Sequence, residues 1–153
     1  RNIEQLCAIG ITPEVKLDPL IPGLTDTQSN LTALFQTLQG FGVNSTGINY
    51  LFLRPQIKKN ICKALGKTPF LPKIIEHYQN SKPINLLAEK SRVVALDVAY
   101  RKRAYEQISA LASDFGIYAY VCGCKNPDIT EEPLCGINWG QHFKKTSIQK
   151  QLF

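Results

Sequence analysis

Methionine is absent from this 153-residue sequence, and the first residue is Arg1. We therefore expect a fragment, a processed product or an artificial truncation rather than a complete translated reading frame. Long apolar runs are absent too, since no segment approaches the ~20 residues that a membrane-spanning helix needs. No secretory signal opens the chain, so we expect a cytoplasmic protein without a membrane partner.

The cysteine pattern lacks the even count of a disulfide framework. There are five cysteines, and three of them, Cys122, Cys124 and Cys135, lie within fourteen residues. Such crowding favours reduced thiols and one local site over a set of disulfides. Cys7 and Cys62 fall on predicted helices, where we expect a buried structural thiol and a structural or solvent-facing thiol, respectively.

The remaining composition is that of an ordinary globular protein, with 44% hydrophobic and 20% charged residues. Together with the length, it predicts a single domain over residues 1–153. The formal net charge of +6 permits contact with a polyanion such as nucleic acid. Basic residues occur along much of the chain, however, so solubility explains the same excess.

Apolar periodicity alternates along the chain with glycine and proline breaks, which predicts alternating helices and strands. The predicted helices cover residues 3–9, 26–40, 55–65, 69–78 and 86–115, and the predicted strands cover residues 12–21, 46–54 and 117–121. The nearly continuous apolar run of the second strand is typical of a parallel strand covered on both faces. The predicted fold class is therefore α/β, with about three parallel strands, right-handed crossovers and flanking helices.

The exit from the first strand carries several turn signals. Pro22 cannot continue a central strand, and Gly23 can adopt the positive φ that a sharp exit requires. Thr25 and Gln28 have the spacing of a capping box, with Asp26 in the first turn of the next helix. In strand–turn–helix units of this kind, functional groups lie at the carboxyl end of the strand.

The long predicted helix carries a basic cluster opposite its apolar stripe, formed by Arg101, Lys102 and Arg103. We interpret this cluster as a solvated surface. Phosphate binding is the alternative.

The third predicted strand runs directly into a cysteine-containing tail from about residue 122. Cys122, Cys124 and Cys135 have the spacing C-x-C-x10-C, and His142 follows. Thiolates are soft ligands, so these cysteines predict a zinc or iron–sulfur site with His142 or an exogenous fourth ligand. Three reduced thiols near a turn are the alternative.

Residues 1–55 resemble the fifth and sixth strand units of radical S-adenosylmethionine (SAM) proteins, in particular the spore photoproduct lyase-like branch known as DNA repair photolyases. The shared features are a Gly-Ile pair after a helix, the block I-P-G-L-T-D after a strand and L-R-P at a strand end, found here at residues 10–11, 21–26 and 53–55. The sequence departs from that family because the C-x3-C-x2-C motif for the [4Fe–4S] cluster is absent. In the family this motif lies in the first strand unit, which would precede Arg1.

The resemblance implies the C-terminal half of a partial (β/α)6 barrel whose strand ends line a SAM and substrate cavity. The cofactor-binding residues that it implies are Asp18, Gly23, Asp26, Tyr50 and Arg54. Gly23 and the following helix N-terminus suit a carboxylate or ribose, and Arg54 suits an anion held in a bidentate fork. Asp18 would need a partner inside a barrel, and an ordinary salt bridge involving it or Lys16 is the alternative.

Three functions fit these observations. The first is the C-terminal portion of a radical SAM enzyme, lyase-like and acting on DNA or another large substrate, which alone lacks activity and needs the N-terminal half of the barrel as its partner. The second is a metal-binding interaction module that contacts nucleic acid or a partner protein. The third is a degenerate half barrel that scaffolds another chain. An open sheet edge also predicts self-association.

Overall fold

A computed structural model describes residues 2–11, 13–86 and 91–130. Its helices are α1 (Asn2–Ala8), α2 (Gln28–Gly40), α3 (Pro55–Leu65), α4 (Phe70–Glu76) and α5 (Val98–Ser113). Its strands are β1 (Val15–Leu20), β2 (Ser45–Tyr50), β3 (Pro83–Leu86), β4 (Ser91–Val94) and β5 (Tyr118–Val121). Within these ranges no helix is long and apolar enough to cross a membrane.

The predicted parallel sheet is confirmed. It has three strands in the order β1-β2-β5, and both pairings are parallel. The central strand β2 is buried over nearly its whole length, from Thr46 to Tyr50. The strand predicted over residues 46–54 is shorter than expected, because β2 ends at Tyr50 and the apolar residues Leu51, Phe52 and Leu53 follow it.

The core lies between this sheet and the helices α2 and α5. Leu31, Phe35 and Leu38 recur at helical spacing on α2 and are buried. On α5 the buried apolar positions include Ile108 and Ala112, at the same spacing. The two helices thus bury one stripe each against the same side of the sheet.

The start of α2 differs from the capping box predicted at Thr25. The N-cap residue is Thr27, whose side chain accepts a hydrogen bond from the backbone N–H of Asn30. Thr25 instead accepts from the backbone N–H of Ile21 at 2.7 Å and closes the turn that leaves β1. Asp26 consequently precedes the helix, and its carboxylate is available to the strand ends.

The prediction that one helix extends from residue 86 to residue 115 is wrong in its first part. β3 and β4 form an antiparallel pair there, and α5 begins only at Val98. The side chain of Asp97 accepts from the N–H groups of Ala99 and Tyr100, which makes Asp97 the N-cap of α5. Val94 also exchanges backbone hydrogen bonds with Leu53, at 2.8 and 3.2 Å, so β4 is tied to the chain that leaves β2.

Candidate functional site at the carboxyl edge of the sheet

One face of the sheet packs on the helices, and the opposite face, which we call the polar face, carries charged and amide groups. Because side chains alternate along a strand, Leu17 and Ile48 point into the core, whereas their neighbours point away from it. A small cavity of about 60 Å³ lies on the polar face. It is lined by Lys16, Asp18, Gly47, Ile48, Asn49, Tyr120, Cys122, Cys124 and Lys125.

Gly47 allows an aromatic ring to lie across the middle of β2. A Cβ atom at this position would be 3.2 Å from the Tyr120 ring, closer than about nine in ten real Cβ contacts, so the ring would have to shift. The hydroxyl of Tyr120 donates to the Glu14 carboxylate, and its ring stacks beside that of Tyr118 with the centroids 6.2 Å apart. Tyr118 is 64% exposed, so the polar face presents an accessible aromatic surface.

Asp18 is placed on the polar face by β1 and has two partners. Its carboxylate accepts from Asn49 Nδ2 at 3.2 Å and forms an ion pair with Lys125. Lys16, on the same side of the strand, pairs with Glu14 at 3.7 Å instead. The alternative given for Asp18, an ordinary salt bridge, is therefore present, and its partner comes from the segment that follows β5.

Asn126 occupies the centre of a buried hydrogen-bond network at the carboxyl ends of the parallel strands. Its side-chain nitrogen donates to Asn49 Oδ1 at 3.0 Å and to the carbonyl of Cys122 at 3.2 Å. Its side-chain oxygen accepts from Arg101 Nη1 at 2.8 Å and from the Tyr105 hydroxyl at 3.3 Å. Because Asn126 is fully buried, these bonds satisfy atoms whose desolvation would otherwise be costly.

Arg101 is buried, so the prediction that it belongs to a solvated surface is wrong. Its Nε donates to the carbonyl of Leu96 at 2.8 Å, and its two terminal nitrogens bind the two carboxylate oxygens of Asp128. Lys102 and Arg103 are exposed, as expected. The segment after β5 folds back over the first turn of α5. Helical periodicity does not reveal a contact between residues so far apart in the sequence.

Asp26 and Tyr50 meet on the helix side of the strand ends. Asp26 Oδ1 accepts from the backbone N–H of Gly23 at 2.6 Å, and Oδ2 accepts from the Tyr50 hydroxyl at 2.8 Å. Burial, and secondarily the hydrogen bond to Asp26, raise the pKa of Tyr50 well above its ordinary value near 10. Tyr50 therefore remains a protonated hydrogen-bond donor at neutral pH.

These residues form the floor of a cleft of about 610 Å³ between the start of α2 and α5. The cleft is lined by Asp26, Gln28, Leu31, Tyr50, Tyr100, Arg103, Ala104, Gln107, Ile108, Ala110 and Leu111. Its walls combine one carboxylate, one guanidinium and two phenol rings with aliphatic surface, a mixture typical of sites that bind small polar molecules.

A cluster of tyrosines connects this cleft to the buried network. The Tyr50 ring centroid is 5.4 Å from that of Tyr105 and 5.9 Å from that of Tyr100. The Tyr105 hydroxyl accepts from the backbone N–H of Tyr50 at 3.1 Å, and burial raises the pKa of Tyr105 to about 12. His77 is exposed, and its ring centroid lies 5.5 Å from that of Tyr100.

The five predicted cofactor-binding residues do not converge on one point. Gly23, Asp26 and Tyr50 are joined by hydrogen bonds, and Gly23 has the positive φ predicted for it, at 66°. Asp18 lies on the polar face with different partners. Arg54 is the N-cap residue of α3 and comes after the end of β2.

Of the predicted metal ligands, Cys122 and Cys124 line the same small cavity, and neither is in a disulfide. Cys135 and His142 lie outside the described residues. Within the part of the chain that the structure describes, no three histidine, cysteine or acidic side chains are placed to hold a metal ion. The metal site stays a prediction that depends on Cys135.

Asn126 and Asp128 are two site residues that no sequence-based prediction includes. Their signal in the sequence is the tripeptide Asn-Pro-Asp at residues 126–128, in the loop that follows β5, which is typical of a turn and of local side-chain hydrogen bonding. That pattern indicates a turn but does not name its distant partners.

Comparison of the chain with protein-family models, with curated proteins and with solved structures finds no match in any of the three. The resemblance to radical SAM proteins therefore depends on its motif residues alone. The carboxyl edge, with its polar face and its tyrosine cleft, is the part of the fold from which a function can be argued.

Proposed function

We propose that this chain is the C-terminal portion of a radical SAM enzyme that acts on DNA, and that its polar face forms part of the wall of the SAM and substrate cavity. The observation that carries the proposal is the sheet with one apolar face on helices and one polar face at the strand ends. A strand of a (β/α) barrel has this division, with helices outside and functional groups at the carboxyl end.

The order of the strands supports the barrel. β1, β2 and β5 are neighbours in the order in which the chain makes them, without a reversal of direction. A barrel winds in one direction, whereas a doubly wound open sheet reverses at a switch point. Closure of the sheet into a (β/α)6 barrel with an N-terminal half is part of the proposal.

The same proposal identifies the partner of β1. Within the described ranges β1 pairs only with β2, so its outer edge carries backbone groups that can accept another strand. We assign this edge to the N-terminal half of the parent protein. In a preparation that contains this chain alone, the edge favours self-association.

This chain can supply only part of the cofactor sites of the proposed enzyme. A [4Fe–4S] cluster supplies the electron that cleaves SAM, and its C-x3-C-x2-C ligands are not in this chain. Asp18 offers a carboxylate of the kind that ribose hydroxyls and the ammonium group of SAM require, and the buried Asn49 amide donates to that carboxylate and orients it. Asp26 and Tyr50 face the α2–α5 cleft, so we assign them to holding the strand ends in place.

The first test is the upstream sequence of the parent, which should contain C-x3-C-x2-C. The second test uses the parent protein, purified without oxygen and reduced, with formation of 5′-deoxyadenosine as the readout. This chain alone should form none, even after reconstitution with iron and sulfide. A parent without the motif, or a reduced parent that forms no 5′-deoxyadenosine, would exclude the proposal.

Asp18 gives the proposal a residue-level test. Loss of a charge-assisted hydrogen bond to SAM costs about 1.5–3 kcal/mol, or roughly 10- to 100-fold in affinity. We expect this loss in Asp18→Asn of the parent. Lys125→Gln is the matched control, because it breaks the same ion pair and leaves the carboxylate in place. Equal losses in both variants would mean that Asp18 acts only through its ion pair.

We propose the metal-binding interaction module as a second candidate, because Cys122 and Cys124 border one cavity. Elemental analysis of protein purified without oxygen or chelator should find about one zinc ion or iron–sulfur cluster. Cys124→Ser should lose it, and Cys62→Ser, at an exposed position on α3, should retain it. Less than about a tenth of an equivalent in the unmodified chain would leave only reduced thiols.

A further inference from the structure

The positive charge of this protein is concentrated in one segment. Between Asp26 and Glu76 there is no acidic residue, and the basic residues there are Arg54, Lys58, Lys59, Lys63, Lys67 and Lys73. These six charges equal the formal net charge of +6, so the rest of the chain is neutral overall. Basic residues do occur along much of the chain, as the sequence analysis states. In this segment, however, no acidic residues balance them.

The structure places three of these lysines together on the outside of α3. Ile57, Ile61 and Leu65 form the side of α3 that packs on the core. Lys58, Lys59 and Lys63 are exposed, and at 3.6 residues per turn they lie within an arc of about 140°. We call this surface the α3 lysine face.

Ion pairs with Lys58, Lys59 and Lys63 are absent from the described part of the chain. Lys67, just after α3, and Lys73, on α4, extend the positive surface and are also exposed. Like charges held close together repel one another, and a bound polyanion relieves that repulsion.

We propose that the α3 lysine face binds the phosphate backbone of nucleic acid without regard to sequence. Lysine is a flexible point charge, which suits positioning contacts to phosphate rather than base reading. A membrane surface is the less suitable partner, because an interfacial helix inserts an apolar side and that side of α3 is already packed on the core. This inference depends on the charge distribution and not on the proposed SAM chemistry.

The test measures binding of a fluorescein-labelled DNA oligonucleotide to the 153-residue chain by fluorescence anisotropy, at salt concentrations from about 50 to 200 mM. The test variant is Lys58→Gln/Lys59→Gln/Lys63→Gln. The control variant is Lys82→Gln/Arg92→Gln/Lys102→Gln, which removes three exposed charges elsewhere. Circular dichroism and thermal unfolding verify that both variants fold.

Each phosphate contact contributes about 0.7–0.9 to the slope of log affinity against log salt. Loss of three contacts should therefore lower the slope by about 2 and weaken binding at least about tenfold near 100 mM salt, while the control stays within about threefold of the unmodified chain. Equal weakening of both variants, or no binding by the unmodified chain at 50 mM salt, would overturn the proposal. Binding to anionic phosphatidylserine vesicles that the test variant loses, with DNA binding unchanged, would overturn it as well.

Cys62 gives a local readout of the same surface. It is exposed on α3 next to Lys63 and one turn from Lys58. Saturating DNA should slow its alkylation by a maleimide severalfold, as followed by peptide mass spectrometry. Cys7, a partly buried thiol on α1, is the reference thiol. Slowing of both thiols alike, or of neither, would place the DNA elsewhere.

The results separate this inference from the proposed function. DNA binding through α3 in a protein whose parent does not cleave SAM would support the α3 lysine face and exclude the radical SAM proposal. SAM cleavage by a parent whose α3 variant binds DNA normally would give the opposite result.

Discussion

Removing the guanidinium of Arg101 should be among the most damaging single changes outside the apolar core. In Arg101→Met the side chain keeps much of its length, but Leu96, Asn126 and Asp128 lose their bonds to the guanidinium. Breaking a buried ion pair from one side costs about 3–5 kcal/mol. Asp128 retains about a third of its exposure, which lowers the expected cost to about 3 kcal/mol.

The assay is urea unfolding followed by far-ultraviolet circular dichroism. A loss of about 3 kcal/mol is a large share of the 5–15 kcal/mol typical of a domain, and it corresponds to a fall in Tm of roughly 6–12 °C. Lys102→Met is the matched control, since Lys102 is the next residue on α5 and is exposed. It should change the free energy of unfolding by less than about 0.5 kcal/mol.

A second measurement separates a local role from a general loss of stability. Arg101 holds Asn126, and Asn126 holds the carbonyl of Cys122. Under conditions where Arg101→Met remains folded, Cys122 and Cys124 should react faster with a thiol reagent, and Cys62 should react as before. An Arg101→Met variant that unfolds like Lys102→Met, within about 1 kcal/mol, would refute the stabilising role of the buried network.

Three further perturbations test other parts of the site. Tyr50→Phe removes the hydrogen bond to the Asp26 carboxylate and should lower the free energy of unfolding in urea by about 1–2 kcal/mol. Tyr118→Phe, at an exposed ring, should leave it almost unchanged. Equal losses in the two variants would contradict a stabilising role for the Tyr50 hydroxyl. Because the pKa of Tyr105 is about 12 when folded and near 10 when unfolded, its contribution is complete below pH 10 and is lost as the pH rises to about 12. Tyr105 alone then accounts for about 3 kcal/mol, and a free energy of unfolding unchanged between pH 10 and 11.5 would be inconsistent with it. Gly23→Ala places a side chain on a residue with positive φ and should lower the free energy of unfolding by about 1–2 kcal/mol. Gly40→Ala, with open space around it and no positive φ, should be neutral or slightly stabilising. Thermal unfolding of the two variants measures the difference.

The parallel sheet is predictable because helical and strand patterns alternate along the chain between glycine and proline breaks. The bounds of its strands are less predictable, since β2 ends at Tyr50, before most of the apolar run that indicated a strand over residues 46–54. The β3–β4 pair is not predictable in this way, since the residues from Leu86 to Val94 also fit a helical period. The deciding feature is Asp97, an N-cap residue that marks where α5 begins.

The location of the candidate site is predictable from the sequence, but the residues that form it are not. Turn signals at Gly23 and the strand ends direct attention to the carboxyl edge, which is correct for any parallel α/β sheet. The buried network needs Arg101 and Asp128, which are separated along the chain and charged. Sequence analysis assigns charged residues to the surface. Only the structure shows that a distant residue of opposite charge allows one of them to be buried.

The buried network also limits the structural effect that a metal ion bound after β5 could have. The N–H groups of Lys125 and Asn126 donate to the Cys122 carbonyl at 3.1 and 2.9 Å, so the turn that carries Cys122 and Cys124 is held by the protein itself. A metal shared with Cys135 would therefore act on the segment that follows this turn. Removing such a metal with a chelator should shift the fluorescence of Trp139, the single tryptophan, and leave the far-ultraviolet circular dichroism unchanged. A chelator that unfolds the whole chain would show instead that the network cannot hold the turn alone.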